Sequence, residues 1–311
     1  MSKFQNSHVI DKLNVARVLG GLCQGRYEEA SICIPETFGI KKSSVSRRFV
    51  KATAKTLKKL LHRDLSKEEI VAIFLDGKYL NEYGMIIALG VRLDGSKMVL
   101  GFIETASENG EVCRDFLEGL QERGLRVDDG LLFIIDGSKG MKKAIEEVFK
   151  EKAFVQRCQW HKRENVVGYL AKDKQEFFRE KLQSAYAQES YEKAKEELLK
   201  IKKELKLINE SAVNSLEEGF EETLTLHRLG VFGELGISLK TTNVLESINS
   251  QIESATKRVK YWKNSNQRQR WVALALLDIE PRLRRIKNYK YLPRLKEIMK
   301  QKVQQQTLKA A

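Results

Sequence analysis

Two short apolar runs, each closed by the same dipeptide, constrain this chain more than any other feature. Val71-Ala72-Ile73-Phe74-Leu75 ends in Asp76-Gly77, and Leu131-Leu132-Phe133-Ile134-Ile135 ends in Asp136-Gly137. A continuous apolar run of this length, bounded by turn residues, reads as a strand buried on both faces. Two further apolar runs, Tyr83 to Val91 and Met98 to Glu104, are joined by Leu93-Asp94-Gly95-Ser96-Lys97, which has the composition of a hairpin connection. Glu111 to Arg123 is amphipathic and predicts a helix, Gly140 to Lys150 another, and Ala153 to Cys158 a short fifth strand. The order βββ, α, β, α, β is that of a mixed α/β sheet, not a doubly wound parallel one.

The flanking segments are helical in pattern. From Lys162 to Leu229 there is no strand signal, and stretches such as Tyr191 to Leu207 combine Lys, Glu and Leu at helical spacing. Thr241 to Thr256 reads as a further helix, and the rest of the C-terminus as mainly helical, punctuated by Pro281 and Pro293. Residues 1 to 70 read as short helices. Within them Phe38 to Phe49 has a glycine turn, a serine N-cap and a basic helix with Arg47 and Arg48, which fits a helix-turn-helix and equally a small helical bundle with a basic surface. The expected organisation is a helical DNA-binding segment over 1–70, a sheet core over 71–161, an all-helical insertion over 162–235, and a final core helix with basic helices over 236–311.

Charge narrows the partner. The chain of 311 residues carries 56 Lys and Arg against 42 Asp and Glu. Between Thr256 and Ala311 there are 16 basic and 3 acidic residues, so nearly all of the net +14 sits in the last 56 positions. A basic footprint this localised points to a polyanion. The longest apolar runs fall far short of a bilayer's thickness, and Met1 to Ile10 has no apolar signal region. The four cysteines, Cys23, Cys33, Cys113 and Cys158, form neither a disulfide framework nor a CxxC pair, which fits a reducing cytoplasm.

The candidate chemistry lies in carboxylates. If the strands ending at Asp76 and Asp136 are neighbours, the two side chains emerge together at one sheet edge, where α/β folds place their sites. Adjacent carboxylates repel, and a hard divalent cation relieves the repulsion. The competing reading is that Asp-Gly is turn chemistry alone. A third candidate is Glu246 in Thr241-Thr242-Asn243-Val244-Leu245-Glu246-Ser247, with Asn249, Ser250 and Glu253 along the same helical side. Such a dense polar face is either solvated or lines a metal pair. Three carboxylates holding two divalent ions about 3.5–4 Å apart would activate a water or a 3′-hydroxyl on a phosphodiester.

Four ordered motifs carry a resemblance. They are Phe74-Leu75-Asp76-Gly77-Lys78, then Ile134 to Gly140, then Val155-Gln156-Arg157-Cys158-Gln159-Trp160-His161-Lys162-Arg163-Glu164-Asn165-Val166. The last runs from His227-Arg228-Leu229-Gly230 through Thr241 to Ser247 and on to Val259-Lys260-Tyr261-Trp262-Lys263-Asn264-Ser265 and Arg270-Trp271. Over roughly Cys33 to Leu295 the chain resembles the mutator-type bacterial insertion-sequence transposases, DDE enzymes with an RNase H-like core. The resemblance implies a mixed RNase H-like sheet with its all-helical insertion between the second Asp and the Glu. It implies Asp76, Asp136 and Glu246 as the catalytic and metal-binding residues, with two Mg²⁺ or Mn²⁺ ions. The partner would be double-stranded DNA, both the inverted-repeat ends and the target. A homodimer or higher oligomer in the cytoplasm, associated with the nucleoid and not with membrane, would join two ends.

Candidate DNA contacts are Arg47, Arg48, His161, Lys162, Arg163, Asn243, Asn249, Lys257, Arg258, Trp262, Lys263, Arg268 and Arg270. Trp262, between Tyr261 and Lys263, is the better candidate to stack on an unpaired base, whereas Trp271 continues into an apolar run and reads as core. Cys158 and His161 are too few to make a zinc site. Cys158 reads as a packed residue, and His161 as facing DNA or a carboxylate. Only about 70 residues precede Asp76, fewer than in full-length relatives, and Glu253-Ser254-Ala255 replaces residues that are often basic in the family. That motivates one rival, a shortened DNA-binding regulator without catalysis. A general RNase H-like nuclease is the other.

Overall fold

The computed structural model describes residues 42–80, 83–105, 110–257, 259 and 261–310. Five strands form one sheet: β1 Ile70–Leu80, β2 Tyr83–Arg92, β3 Lys97–Thr105, β4 Leu131–Ile135 and β5 Ala153–Arg157, in the order β3-β2-β1-β4-β5. β1, β2 and β3 run antiparallel as a meander, and β4 and β5 extend the sheet in parallel with β1. The expected mixed α/β architecture is the one observed.

One detail of β1 differs from expectation. The strand does not stop at Leu75 but continues through Asp76-Gly77, paired with Ile87 and Ile86 of β2. Only its parallel ladder with β4 ends at Leu75, opposite Ile135. Asp76-Gly77 is therefore not a turn, whereas Gly137, at φ 124°, takes a conformation that strains any L side chain.

Both faces of the central strands are covered, which is why their apolar runs are continuous. On one face Ile73, Leu75, Leu131, Phe133 and Ile135 pack with α2 (Gly110–Glu122) and α3 (Lys139–Phe149) through Leu117, Leu120, Met141 and Ile145. At the N-terminal end of β4, Met299 and Val303 of α13 (Leu292–Ala310) lie against Gly130, where Phe154 also packs.

Between β5 and the later helices, α4 (Gln159–Val167), α5 (Lys172–Tyr186), α6 (Tyr191–Lys206) and α7 (Glu210–Glu217) share a separate core of Val166, Phe178, Leu182, Leu198, Leu205, Val213 and Leu216. Two short helices, α8 (Phe220–Thr223) and α9 (Thr225–Arg228), return the chain to β5. There the Gln156 side chain donates to Thr223 O and accepts from Leu226 N, while Thr225 Oγ1 donates to Val155 O. α10 (Phe232–Leu239), α11 (Asn243–Thr256) and α12 (Ser265–Ile279) complete the order.

The chain forms two compact units. One takes Asp64–Glu246 with Leu283–Ala311, and holds the sheet and the helical segment. The other takes Ser247–Arg282 with the described part of Met1–Arg63. In the latter, α1 (Lys42–Leu61) packs on α12 through Phe49 and Trp271, whose rings lie 5.3 Å apart. The first helix and the turn of the expected helix-turn-helix lie outside the described residues.

Candidate active site

The sheet itself brings the two aspartates together. Leu75 and Ile135 are register partners on parallel neighbours, so Asp76 and Asp136 leave adjacent strands side by side. Neighbouring strands are only about 4.8 Å apart. Asp76 is buried, at 7% exposure, and Asp136 is half-buried. A local turn fixes Asp136: its Oδ1 accepts from Ser138 N at 3.1 Å, and Ser138 in turn caps α3 by accepting from Met141 N at 3.3 Å.

Glu246 arrives from a distant part of the sequence by way of α4. Gln159 N donates to Lys240 O at 2.9 Å, which stitches the loop before α11 onto the start of α4. The Thr242 hydroxyl then lies 3.3 Å from His161 Nδ1, and His161 Nε2 lies 3.5 Å from Glu246 Oε1. Contact with Cys158 is the largest influence on the His161 ring. Together with the charges of Asp76 and Asp136 it outweighs burial and raises the ring to about 9. Burial pushes the buried Cys158 thiol up, but His161 brings it below its ordinary value. His161 pairs with Glu246, and the negative charges of Asp76 and Asp136 favour its protonated form. It faces carboxylate, one of the two roles the sequence left open, while Cys158 is packed as expected.

The paired aspartates are the hard oxygen donors that a divalent cation takes. Glu246 is engaged with His161, and among the described residues no three His, Cys, Asp or Glu gather closely enough to hold a metal ion. The donor chemistry fits such an ion at Asp76 and Asp136, while Glu246 is paired with His161.

The model of the family described as Transposase, Mutator family, matches residues 30–284. The chain belongs to the Mutator family of transposases. It is 27% identical over 256 residues to the transposase for insertion sequence element IS256 in transposon Tn4001 of Staphylococcus aureus, covering 76% of this chain and 63% of that protein. It is 29% identical over 207 residues to the transposase for IS6120 of Mycolicibacterium smegmatis, covering 64% and 62%. The transposase for IS905 of Lactococcus lactis is 27% identical over 235 residues, covering 73% and 58%. The match spans about three fifths of the length of these curated relatives.

Within this Mutator-family chain the expected DNA contacts divide by burial. Arg47, Asn243, Lys257 and Lys263 are exposed, and Trp262 is half-buried. Arg163 is partly covered and bonds Glu164 and Gln183. The Arg48 side chain and Arg258 lie outside the described residues. Four of the expected contacts are buried. Lys162 has no exposed surface, and its Nζ donates to the backbone carbonyls of Ser215 and Glu218. Burial beside Arg157 lowers it to about 8. Arg270 is buried against Thr53, Nη1 to Oγ1 at 2.9 Å, and Arg268 and Asn249 are buried too. In the free chain these side chains are largely engaged within the fold. Trp271, packed on Phe49, fits its core reading. No helix of the described residues is long and apolar enough to cross a membrane.

Proposed function

We propose that this chain is the catalytic part of a DNA transposase of the DDE type, which cleaves phosphodiesters at element ends and transfers the freed 3′-hydroxyl into target DNA. The observation that carries this reading is the parallel register of β1 and β4, which sets Asp76 beside Asp136; Glu246 pairs with His161, whose ring feels the charge of both aspartates. The strand order, an antiparallel meander extended by two parallel strands, supports an RNase H-like core with 162–235 as its helical insertion. Asp76 and Asp136 would hold Mg²⁺ or Mn²⁺, and Glu246 would have to exchange its His161 partner for metal to complete a two-ion set; such ions, when bound, would activate the attacking hydroxyl and stabilise the leaving oxygen.

The remaining work falls to the chain's own groups. Asp76 is held rigid by the β2 ladder and Asp136 by the Ser138 turn, so little reorganisation accompanies the reaction. His161 orients Glu246. Exposed Arg47, Lys257 and Lys263 contact phosphates, and Trp262 offers a ring to an unpaired base. Two element ends and a target duplex call for a dimer or larger assembly on cytoplasmic, nucleoid DNA.

The test is cleavage and strand transfer of a labelled fragment bearing the native element ends, in Mg²⁺, in Mn²⁺ and in chelator, beside Asp136→Asn. Metal-dependent 3′-end cleavage that the variant loses is expected. Salt-sensitive end binding with no cleavage in any metal would instead make the chain a regulator and overturn the catalytic reading.

A further inference from the structure

The turn that carries Asp136 rests on a side chain outside the carboxylate group. Arg157 is the last residue of β5 and the register partner of Ile135, so it leaves the sheet directly beside Asp136-Gly137. Its side chain is buried and wedged between two glycines. A Cβ on Gly137 would sit 2.4 Å from Arg157 Nε, and a Cβ on Gly219 would sit 2.5 Å from Nη1. Both glycines have positive φ, 124° and 67°. The guanidinium therefore occupies space that only these two backbone turns leave open.

Its hydrogen bonds run the same way. Nη1 donates to Glu218 O at 2.8 Å and Nη2 lies 3.4 Å from Glu218 Oε2. Lys162 Nζ donates to the same carbonyl at 2.5 Å. Glu218 Oε1 lies 3.0 Å from Lys139 Nζ, three residues after Asp136. The circuit is closed: Asp136 turn, Arg157, Glu218, Lys139, and back to the turn. Glu218 and Gly219 follow α7, so the far side of this circuit belongs to the helical segment. Among the described residues, Arg157 Nε is buried with no hydrogen-bond partner. A buried donor left unmade is costly, which argues that the position is held for geometry and not for stability alone.

We propose that Arg157 is the positioning residue for Asp136, holding the 136–139 turn against the 218–219 turn so that the carboxylate keeps its direction only while the helical segment is docked. The inference rests on the proposed role of Asp136 as a metal-binding carboxylate. Outer groups that orient a ligand typically change metal affinity about 10- to 100-fold when lost. Lysine at this position keeps the charge but not the planar fork that spans both turns.

The experiment uses the full chain as wild type, Arg157→Lys, Gly219→Ala and the double variant. Three readouts are taken: amide hydrogen exchange, Mn²⁺ binding by electron paramagnetic resonance, and the Mg²⁺ dependence of cleavage. Arg157→Lys is expected to speed exchange in residues 136–142 and 215–222 while 71–75 and 85–91 stay protected. It should weaken Mn²⁺ binding about 10- to 100-fold and raise the Mg²⁺ requirement in parallel, with DNA affinity unchanged. Gly219→Ala should give the same signature, and the double variant little more than either alone, since both changes break one contact. Unchanged exchange and Mn²⁺ binding in Arg157→Lys would overturn the proposal, as would strictly additive effects of the two substitutions. If Arg157→Lys loses protection throughout the sheet, Gly219→Ala decides alone. A wild type that binds Mn²⁺ but cuts no DNA would sink the proposed function, and exchange and Mn²⁺ binding would still judge Arg157.

Discussion

The sheet and the helical segment beside it fix their residues by different means. In the sheet, position follows from register: once Leu75 pairs with Ile135, the neighbours Asp76 and Asp136 are adjacent. In the helical segment, an apolar core is tied together by individual side-chain links, one buried and others partly exposed. Lys162 hooks two carbonyls, Glu164 meets Arg179 at 3.2 Å, and Glu221 meets Lys195 at 2.7 Å. Register is set by every residue of a strand and tolerates single changes. A hook depends on one side chain. The difference teaches that the carboxylate pair is robust, whereas its attachment to the helices is held by few groups.

The largest effect expected on that contrast is chemical. Asp76→Asn should leave β1 paired and the thermal midpoint nearly unchanged while cleavage falls by about 10³-fold, the scale of losing a central electrostatic group; midpoint and single-turnover rate, measured together, check it. Next, the two cores can be set against each other. Phe133→Ala in the sheet should cost about 3–5 kcal/mol and Leu198→Ala in the helices about 2–5 kcal/mol. Both residues are fully buried. In denaturant, Leu198→Ala should loosen exchange across 159–217 before the sheet, and simultaneous loss of both would show a single cooperative core.

A smaller effect comes from acid. Burial lowers His227 to about 4, with its ring stacked on Phe232 at 3.6 Å, so the folded chain keeps it neutral where the unfolded chain protonates it. Stability should therefore fall as pH drops from about 6.5 towards 4, by no more than about 3 kcal/mol from this group. His227→Phe should flatten the slope of denaturation midpoint against pH in that window. The smallest effect is local. Asn209 caps α7 by accepting from Ser211 N and Ala212 N, and Asn209→Ala should cost about 1 kcal/mol in a melt.

Much of the sheet was legible because continuous apolar runs have one solution. All five strands lie where the runs place them, whereas the adjacency of the aspartates is conditional in the sequence and comes from the pairing of Leu75 with Ile135. The end of β1 was not legible, since Asp76-Gly77 has turn composition and only β2, continuing alongside, keeps it extended. Glu246 was readable as a helix-face carboxylate, but its link to His161 depends on the loop at Lys240 and Thr242 docking on α4. Lys162, Arg268 and Arg270 were read as surface because Lys and Arg usually are. A signal was present for two of them. Gln159, Lys162 and Val166 fall on one helical face, as do Arg268, Val272, Ala275 and Ile279, and both faces are buried. Arg157 was quoted within a motif without a role, because the two glycines that seat it are 82 residues apart.

The cover of Gly130 has a consequence for synthesis. The strand that leads to Asp136 begins beside Gly130, yet the side chains that close over it, Met299 and Val303, are made about 170 residues later. At about 5–20 residues per second, the ribosome needs roughly 10–35 s to pass from one to the other. For that interval the nascent sheet carries an open apolar notch at Gly130 and Phe154. A nascent chain of this fold therefore carries that apolar notch through the interval in which unfinished chains are most prone to associate.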